Sequence, residues 1–304
     1  MPLIVVAGPT ASGKTRLAID IAKHYGGEIV SADSMQIYKY MDIGTAKPTA
    51  AERAECLHHL IDFVEPDEDF SVAQYTELAH KVIADIHRRG LLPVMCGGTG
   101  LYINSVVNDI EFGEMEKDEE MRRELQEIAE REGNGRLIEI LSELDPVSAK
   151  RLHPNNLRRV IRAIEFCRIT GTPISEHQER TRQIESRYEP LMFCIAHERS
   201  VLYDRINRRV DIMLEEGLVD EVRRLMDMGY SKELNSMQAI GYKEIIEYLE
   251  GGCTLTEASE AVKQGSRRYA KRQLTWFRRD ERIVMLDPKT ASEDAVRITD
   301  EKIK

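Results

Sequence analysis

The residues with the clearest chemical potential are Gly8-Pro9-Thr10-Ala11-Ser12-Gly13-Lys14-Thr15. Two glycines, spaced Gly-x4-Gly-Lys-Thr, let a backbone wrap so that successive amide hydrogens point inward, at the positive end of the helix that follows. Lys14 adds a full positive charge, and Thr15 can offer its hydroxyl to a magnesium ion. This P-loop binds a phosphate or pyrophosphate group. Asp33, in Ser31-Ala32-Asp33-Ser34-Met35-Gln36, is a candidate carboxylate opposite the loop, with a turn former or helix cap as its bland reading. Thr99, in Gly97-Gly98-Thr99-Gly100-Leu101-Tyr102, is a third polar group of the same kind.

Elements must place these groups on one edge. Leu3 to Ala7 reads as a buried strand that ends at the glycine turn, and Leu17, Ala18, Ile21 and Ala22 repeat at helical spacing after it. Apolar runs at Glu28 to Ser31, His59 to Val64, Leu91 to Cys96, Leu191 to Ala196 and Ile283 to Leu286 are further predicted strands, with a helix over Val72 to Arg88. Alternating strands and helices predict an α/β fold, a parallel sheet flanked by helices. Asp33 and Thr99 then follow strands at the same carboxyl edge as the P-loop, where ligands of such sheets bind.

Between Asn104 and Glu189 the strand signal disappears, and charged helical sequence replaces it. The expected organisation is a P-loop core of residues 1–110 and 190–304, with an all-helical insertion at 111–189. Leu202, Ile206, Met213, Leu214, Leu218, Val222, Leu225 and Met226 form a helical stripe ending at Gly229.

The net charge of −10 argues against indiscriminate coating of nucleic acid. Charge is nonetheless segregated: ten of the residues from Glu111 to Glu132 are acidic, whereas Lys263 to Arg282 holds eight Lys or Arg against two acids. Such a chain can turn a positive face to a polyanion. The stripe is interleaved with Tyr269, Trp276 and Phe277, and the last two are expected to be core anchors. Five scattered cysteines, Cys56, Cys96, Cys167, Cys194 and Cys253, fit neither a disulfide framework nor a zinc site. No segment reaches the roughly 18 apolar residues that span a bilayer, and no leader pattern opens the chain, so a cytoplasmic protein without membrane contact is expected.

The best strand after the P-loop, Leu91 to Cys96, ends in Cys96-Gly97-Gly98 and carries no terminal carboxylate of the kind that ATPases use. Leu60-Ile61-Asp62 is a partial candidate whose Asp is followed by more apolar sequence. Nucleotide hydrolysis is weakly supported.

Together the P-loop, Asp33-Ser34-Met35-Gln36-Ile37-Tyr38, Asp42-Ile43-Gly44-Thr45-Ala46-Lys47-Pro48 and Gly97 to Tyr102 resemble the bacterial tRNA dimethylallyltransferases, or tRNA isopentenyltransferases. His153 to Glu165, Ala239-Ile240-Gly241-Tyr242-Lys243-Glu244 and Arg268 to Arg278 extend the likeness almost to the end of the chain. The resemblance implies a P-loop NTPase-like fold. It also implies transfer of a dimethylallyl group from dimethylallyl diphosphate to the exocyclic amine of the adenosine 3′ of the anticodon in tRNA. An adenylate isopentenyltransferase and a small-molecule P-loop kinase are the alternatives.

On this reading Gly8, Pro9, Thr10, Ala11, Ser12, Gly13, Lys14 and Thr15 hold the diphosphate, with Mg2+ on Thr15. Asp33 is the candidate base, and Lys14 and Thr99 complete the catalytic set. The likeness places Thr10 at the diphosphate and Asp33, Ser34, Met35, Gln36 and Thr99 at the RNA. It also implies RNA contact by Arg122 and by the segment holding Arg158, Arg159, Val160, Ile161 and Arg162. Arg158 and Arg162, four apart, share a helix face and can follow adjacent phosphates. The expected partners are dimethylallyl diphosphate and the tRNA anticodon stem-loop, the enzyme being a monomer.

Overall fold

A computed structural model describes residues 1–110, 112, 118–182 and 185–302. The order of elements is β1 (Pro2–Ala7), α1 (Lys14–Tyr25), β2 (Glu28–Ser31), α2 (Ala50–Glu55), β3 (His58–His59), α3 (Val72–Arg88), β4 (Pro93–Gly97) and α4 (Gly100–Val107). There follow α5 (Glu119–Glu132), α6 (Asn134–Leu144), α7 (Pro146–Arg151), α8 (Leu157–Thr170) and α9 (Ile174–Arg182). The remainder is β5 (Glu189–Ile195), α10 (Arg199–Glu215), α11 (Leu218–Asp227), α12 (Tyr242–Leu249), α13 (Leu255–Phe277), β6 (Ile283–Leu286) and α14 (Ala291–Lys302).

The strands form one parallel sheet in the order β3-β2-β4-β1-β5-β6. Side chains alternate between its faces, so both faces of an apolar strand must be covered. Ile4, Val6, Ile29, Val94 and Phe193 pack with α1 and α14 on one face. Leu3, Val5, Val30, Met95 and Met192 pack with α3, α4 and Phe277 of α13 on the other. This is a sheet with a P-loop NTPase-like arrangement, and β1 lies inside it between β4 and β5.

Two of the expected elements differ. The predicted strand from His59 to Val64 forms a ladder only at His58–His59, with Val64 making a single parallel bridge to Tyr38, because Leu60 (φ 59°) and Asp62 (φ 66°) adopt left-handed backbone that no extended strand contains. The single stripe from Leu202 to Met226 is two helices, broken at Gly217 (φ 102°). Leu202 and Ile206 of α10 pack with Ala11 and Ala270, whereas Leu218, Val222 and Leu225 of α11 join a separate cluster with Ile37, Met41, Met237, Tyr242 and Ile245. A helical period reports a buried face but not which core buries it.

The described residues divide into two compact units, Met1–Val107 with Arg187–Lys304, and Asn108–Ser186. The expected boundary at residue 111 lies outside the described residues. The second unit has its own core, built by Leu125, Leu137, Leu141, Val160 and Ile164 of α5, α6 and α8. Its buried Asp145 accepts hydrogen bonds from the backbone and hydroxyl of both Ser148 and Ser175, which ties α7 to α9. Among the described residues no helix is long and apolar enough to cross a membrane.

Candidate active site

The P-loop bends on left-handed residues. Gly13 has φ 93° and Ala11 φ 61°, and a side chain on Gly8 (φ 153°) would come within 3.1 Å of Ser12 Oγ. Helix α1 begins at Gly13 with no side-chain cap, so its first amides are left for an anion. Ser12 Oγ is buried and has no hydrogen-bond partner within the protein, which suits a loop whose polar groups are completed by a ligand.

Lys14, Thr15, Ser31, Asp33, Gln36, Cys96 and Gly97 line one cleft of about 300 Å3. The P-loop and the loops after β2 and β4 thus meet at one edge, as parallel topology requires. Lys14 Nζ folds back to within 3.5 Å of the Pro9 carbonyl. Burial draws the Lys14 ammonium below the usual lysine pKa, while Asp33 opposes that shift. Burial also pushes the Cys96 thiol up to about 12, so the neighbouring cysteine is a neutral wall and not a nucleophile.

Asp33 Oδ1 accepts from Met35 N at 3.0 Å, which fixes one carboxylate oxygen in a turn. Thr99 Oγ1 accepts from Ser34 N at 3.0 Å and lies 3.2 Å from Ser34 Oγ, and the Thr99 amide reaches Ala32 O at 3.1 Å. The β2 and β4 loops are therefore one unit. A side chain on Gly97 would strike Ala32 O at 2.1 Å, so glycine is what allows this approach. Gln36 braces the same loop through its amide to the carbonyls of Thr45 and Ala46.

Several residues that sequence reasoning passed over hold these parts. Gln273 of α13 accepts from Thr10 N at 3.1 Å and donates to Gly98 O at 2.9 Å, joining the P-loop to the β4 loop. Arg205 Nε donates to Ala11 O at 2.7 Å, His197 Nε2 lies 2.8 Å from Ser12 O, and Arg209 reaches Thr10 Oγ1 at 3.5 Å. Burial lowers the Arg209 pKa, so its charge stands in a desolvated setting beside the phosphate loop.

Glu221 of α11 accepts from the amides of Asp42 (2.9 Å), Ile43 (2.8 Å) and Gly44 (3.0 Å) and from the Tyr242 hydroxyl (2.6 Å). Buried Lys47 donates to Tyr38 O, Asp42 Oδ1 and Asp62 Oδ1. Asp62 thus serves a lysine at the base of the loop rather than completing an ATPase signature. A charged residue on an apolar stripe, such as Glu221 between Leu218 and Val222, is the signal that could have exposed this clamp.

In the helical unit, Glu165 is fully buried and accepts two bonds from Arg122 (2.8 and 2.9 Å), one from Arg162 (2.9 Å) and one from Asp118 N. Arg158 and Arg159 are exposed, whereas Val160 and Ile161 point into the unit's own core. Phe277 is a core residue as expected. Trp276 is not: it is 42% exposed.

Thr15 and Asp33 line the same cleft and offer hard oxygen donors. Among the described residues no group of three or more His, Cys, Asp or Glu forms a metal cage. Such a donor set suits a divalent ion held mainly by substrate phosphates and water.

The family model for IPP transferase matches residues 36–280, and one for isopentenyl transferase matches residues 1–65. The chain is 53% identical to a tRNA dimethylallyltransferase of Acetivibrio thermocellus over 285 residues, 94% of this chain and 91% of that one. It is 48% identical to a tRNA dimethylallyltransferase of Lachnoclostridium phytofermentans, over 98% of this chain and 96% of that one. Among solved structures it is similar to a full-length tRNA isopentenylpyrophosphate transferase of Bacillus halodurans, with TM-score 0.74 and 46% identity over 99% of this chain and 96% of that one. A eukaryotic dimethylallyltransferase acting on tRNA matches with TM-score 0.84 and 29% identity, over all of this chain and 80% of that one.

Proposed function

The chain belongs to the IPP transferase family and prenylates tRNA, and from that premise we propose how its own residues carry the reaction. The observation that supports the assignment of roles is the shared cleft: Asp33 lines the same opening as Lys14 and Thr15 of the P-loop. A carboxylate and a phosphate cradle placed together serve a reaction that removes a proton on one side and releases a diphosphate on the other.

The donor is dimethylallyl diphosphate, and the acceptor is the exocyclic amine of the adenosine 3′ of the anticodon. The carbon–oxygen bond of the donor breaks with its electron pair passing to the diphosphate, and the new carbon–nitrogen bond forms as the amine proton moves to Asp33. P-loop amides, Lys14 and the positive end of α1 stabilise charge that grows on the leaving group. Thr15 would offer its hydroxyl to a Mg2+ ion, which would further neutralise the diphosphate. An adenine amine is a weak nucleophile, so a base at Asp33 contributes about 10²- to 10⁴-fold. Thr99 holds the Asp33-Ser34 turn in register with β4. No water is activated, which accounts for the missing ATPase carboxylate.

The target adenosine leaves its stack at a cost of a few kcal/mol, lowest in an unpaired anticodon loop. The helical insertion contributes to tRNA binding. Helix α8 supports this, because it starts with no side-chain cap and no acid in its first turn, with Arg158 and Arg159 exposed there. Arginines at a positive helix end strain the helix but attract phosphate. The enzyme works as a monomer, since one chain supplies the P-loop, Asp33 and Thr99, and it works in the cytoplasm, where its tRNA substrate is.

The test incubates the protein with Mg2+, labelled dimethylallyl diphosphate and unmodified tRNA, then identifies the labelled nucleoside by mass. Isopentenyladenosine is expected with the native chain, and a fall of about 10²-fold or more with Asp33→Ala. Full activity in Asp33→Ala refutes the base assignment, and label at any other nucleoside refutes the acceptor.

A further inference from the structure

Helix α13 carries Tyr269, Arg272 and Trp276 at spacings of three and four, which place them along one face. Gln273 of the same helix bonds Thr10 N and Gly98 O, so this helix is tied to the active-site loops. The Arg272 guanidinium lies 5.5 Å from the centre of the Tyr269 ring. Trp276 packs on Gly100, the residue after Thr99: a side chain on Gly100 would come within 2.4 Å of the indole Cδ1 and Nε1. The ring is therefore held by close packing on the start of α4, yet 42% of the residue is open to solvent, while Phe277 beside it is 3% exposed. It borders a cleft of about 240 Å3 whose apolar wall includes Ile103, Val107 and Met192. Arg272, about one turn before it, and Arg279, about one turn after it, are both exposed, while Asp280 and Arg282, which pair with each other, line the same cleft.

A rigid, half-open aromatic ring in a basic surround is the combination that binds single-stranded nucleic acid, because every base offers a π face while the cations follow the backbone. A core role does not account for the exposed area, and a protein partner would not call for so concentrated a positive charge. We propose that Trp276 is a stacking platform for an unpaired anticodon-loop base next to the target adenosine, with Arg272 and Arg279 on the flanking phosphates. This rests on the tRNA reading above and assigns it a contact of its own.

Trp276 is the sole tryptophan of the chain, so its emission reports on this contact directly. Unmodified anticodon stem-loop RNA is titrated into the native protein, with affinity measured separately by anisotropy of labelled RNA. Saturable quenching of indole emission in step with binding is expected. Trp276→Leu is expected to weaken RNA binding about 5- to 150-fold, the range for loss of one stacked base, with Trp276→Phe recovering most of it and the KM for dimethylallyl diphosphate unchanged in both. RNA binding at full affinity with unaltered emission overturns the platform alone, as does native affinity in Trp276→Leu. Quenching by dimethylallyl diphosphate without RNA assigns the ring to the donor and also overturns it. Absence of any RNA binding overturns the tRNA reading together with the platform.

Discussion

Replacing Glu221 with glutamine is the most direct test of how the long loop after β2 is held. The native carboxylate accepts four hydrogen bonds, three of them from the consecutive amides of Asp42, Ile43 and Gly44. Gln can keep one oxygen toward Asp42 and Ile43, but its NH2 then faces the Gly44 amide, and donor meets donor. Leaving that amide unpaired costs about 1–3 kcal/mol, and the remaining bonds lose the gain of a charged acceptor, about 1 kcal/mol in all. The total is about 3 kcal/mol, equivalent to a melting temperature lower by roughly 6–12 °C for a unit of this size. Thermal and urea unfolding followed by circular dichroism measure the stability, and amide hydrogen exchange reads the loop itself. Glu221→Gln should speed exchange at Asp42, Ile43 and Gly44 and lower the turnover number, because the same loop carries Asp33. A variant within about 0.5 kcal/mol of the native protein, with those amides still protected, refutes the reasoning.

Gly44→Ala puts a methyl within 2.4–2.8 Å of the Tyr242 ring, so a loss of about 1–3 kcal/mol is expected in urea unfolding, with Gly44→Ala/Tyr242→Leu recovering part of it. Gln273→Glu keeps the acceptor for Thr10 N but turns an oxygen toward Gly98 O, and a fall of about 5- to 10-fold in kcat/KM is expected from steady-state kinetics. Hydrogen bonds from Arg89, with a further one from His59, hold the mostly buried Glu28 carboxyl down at about 2. Since its pKa is depressed on folding, its contribution, on the order of 2 kcal/mol, is present above the ordinary carboxylate range and is lost as pH falls from about 4.5 toward 2. Urea midpoints measured across that window should fall more steeply for the native chain than for Glu28→Gln.

Much of this protein is legible from local pattern. The P-loop declares itself because phosphate binding needs glycines, a lysine and a helix start within eight consecutive residues. The strand at Glu28–Ser31, the helix at Val72–Arg88 and the strand at Ile283–Leu286 follow from apolar runs and periods alone. Asp33 and Thr99 are placed at the carboxyl edge by topology once the sheet is known to be parallel. What local pattern leaves open is which buried face meets which core. Leu202 and Leu218 lie on one continuous stripe yet serve different clusters, and Trp276 and Phe277, adjacent and alike in type, part between solvent and core. The clamps were beyond local reading too. Glu221 reaches the loop at Asp42–Gly44 across nearly 180 positions, and Gln273 reaches Thr10 across 263. A phosphate cradle is built from neighbours, so the chain spells it out; a carboxylate that satisfies three distant amides acquires its meaning only when folding removes water from both and leaves each as the other's partner.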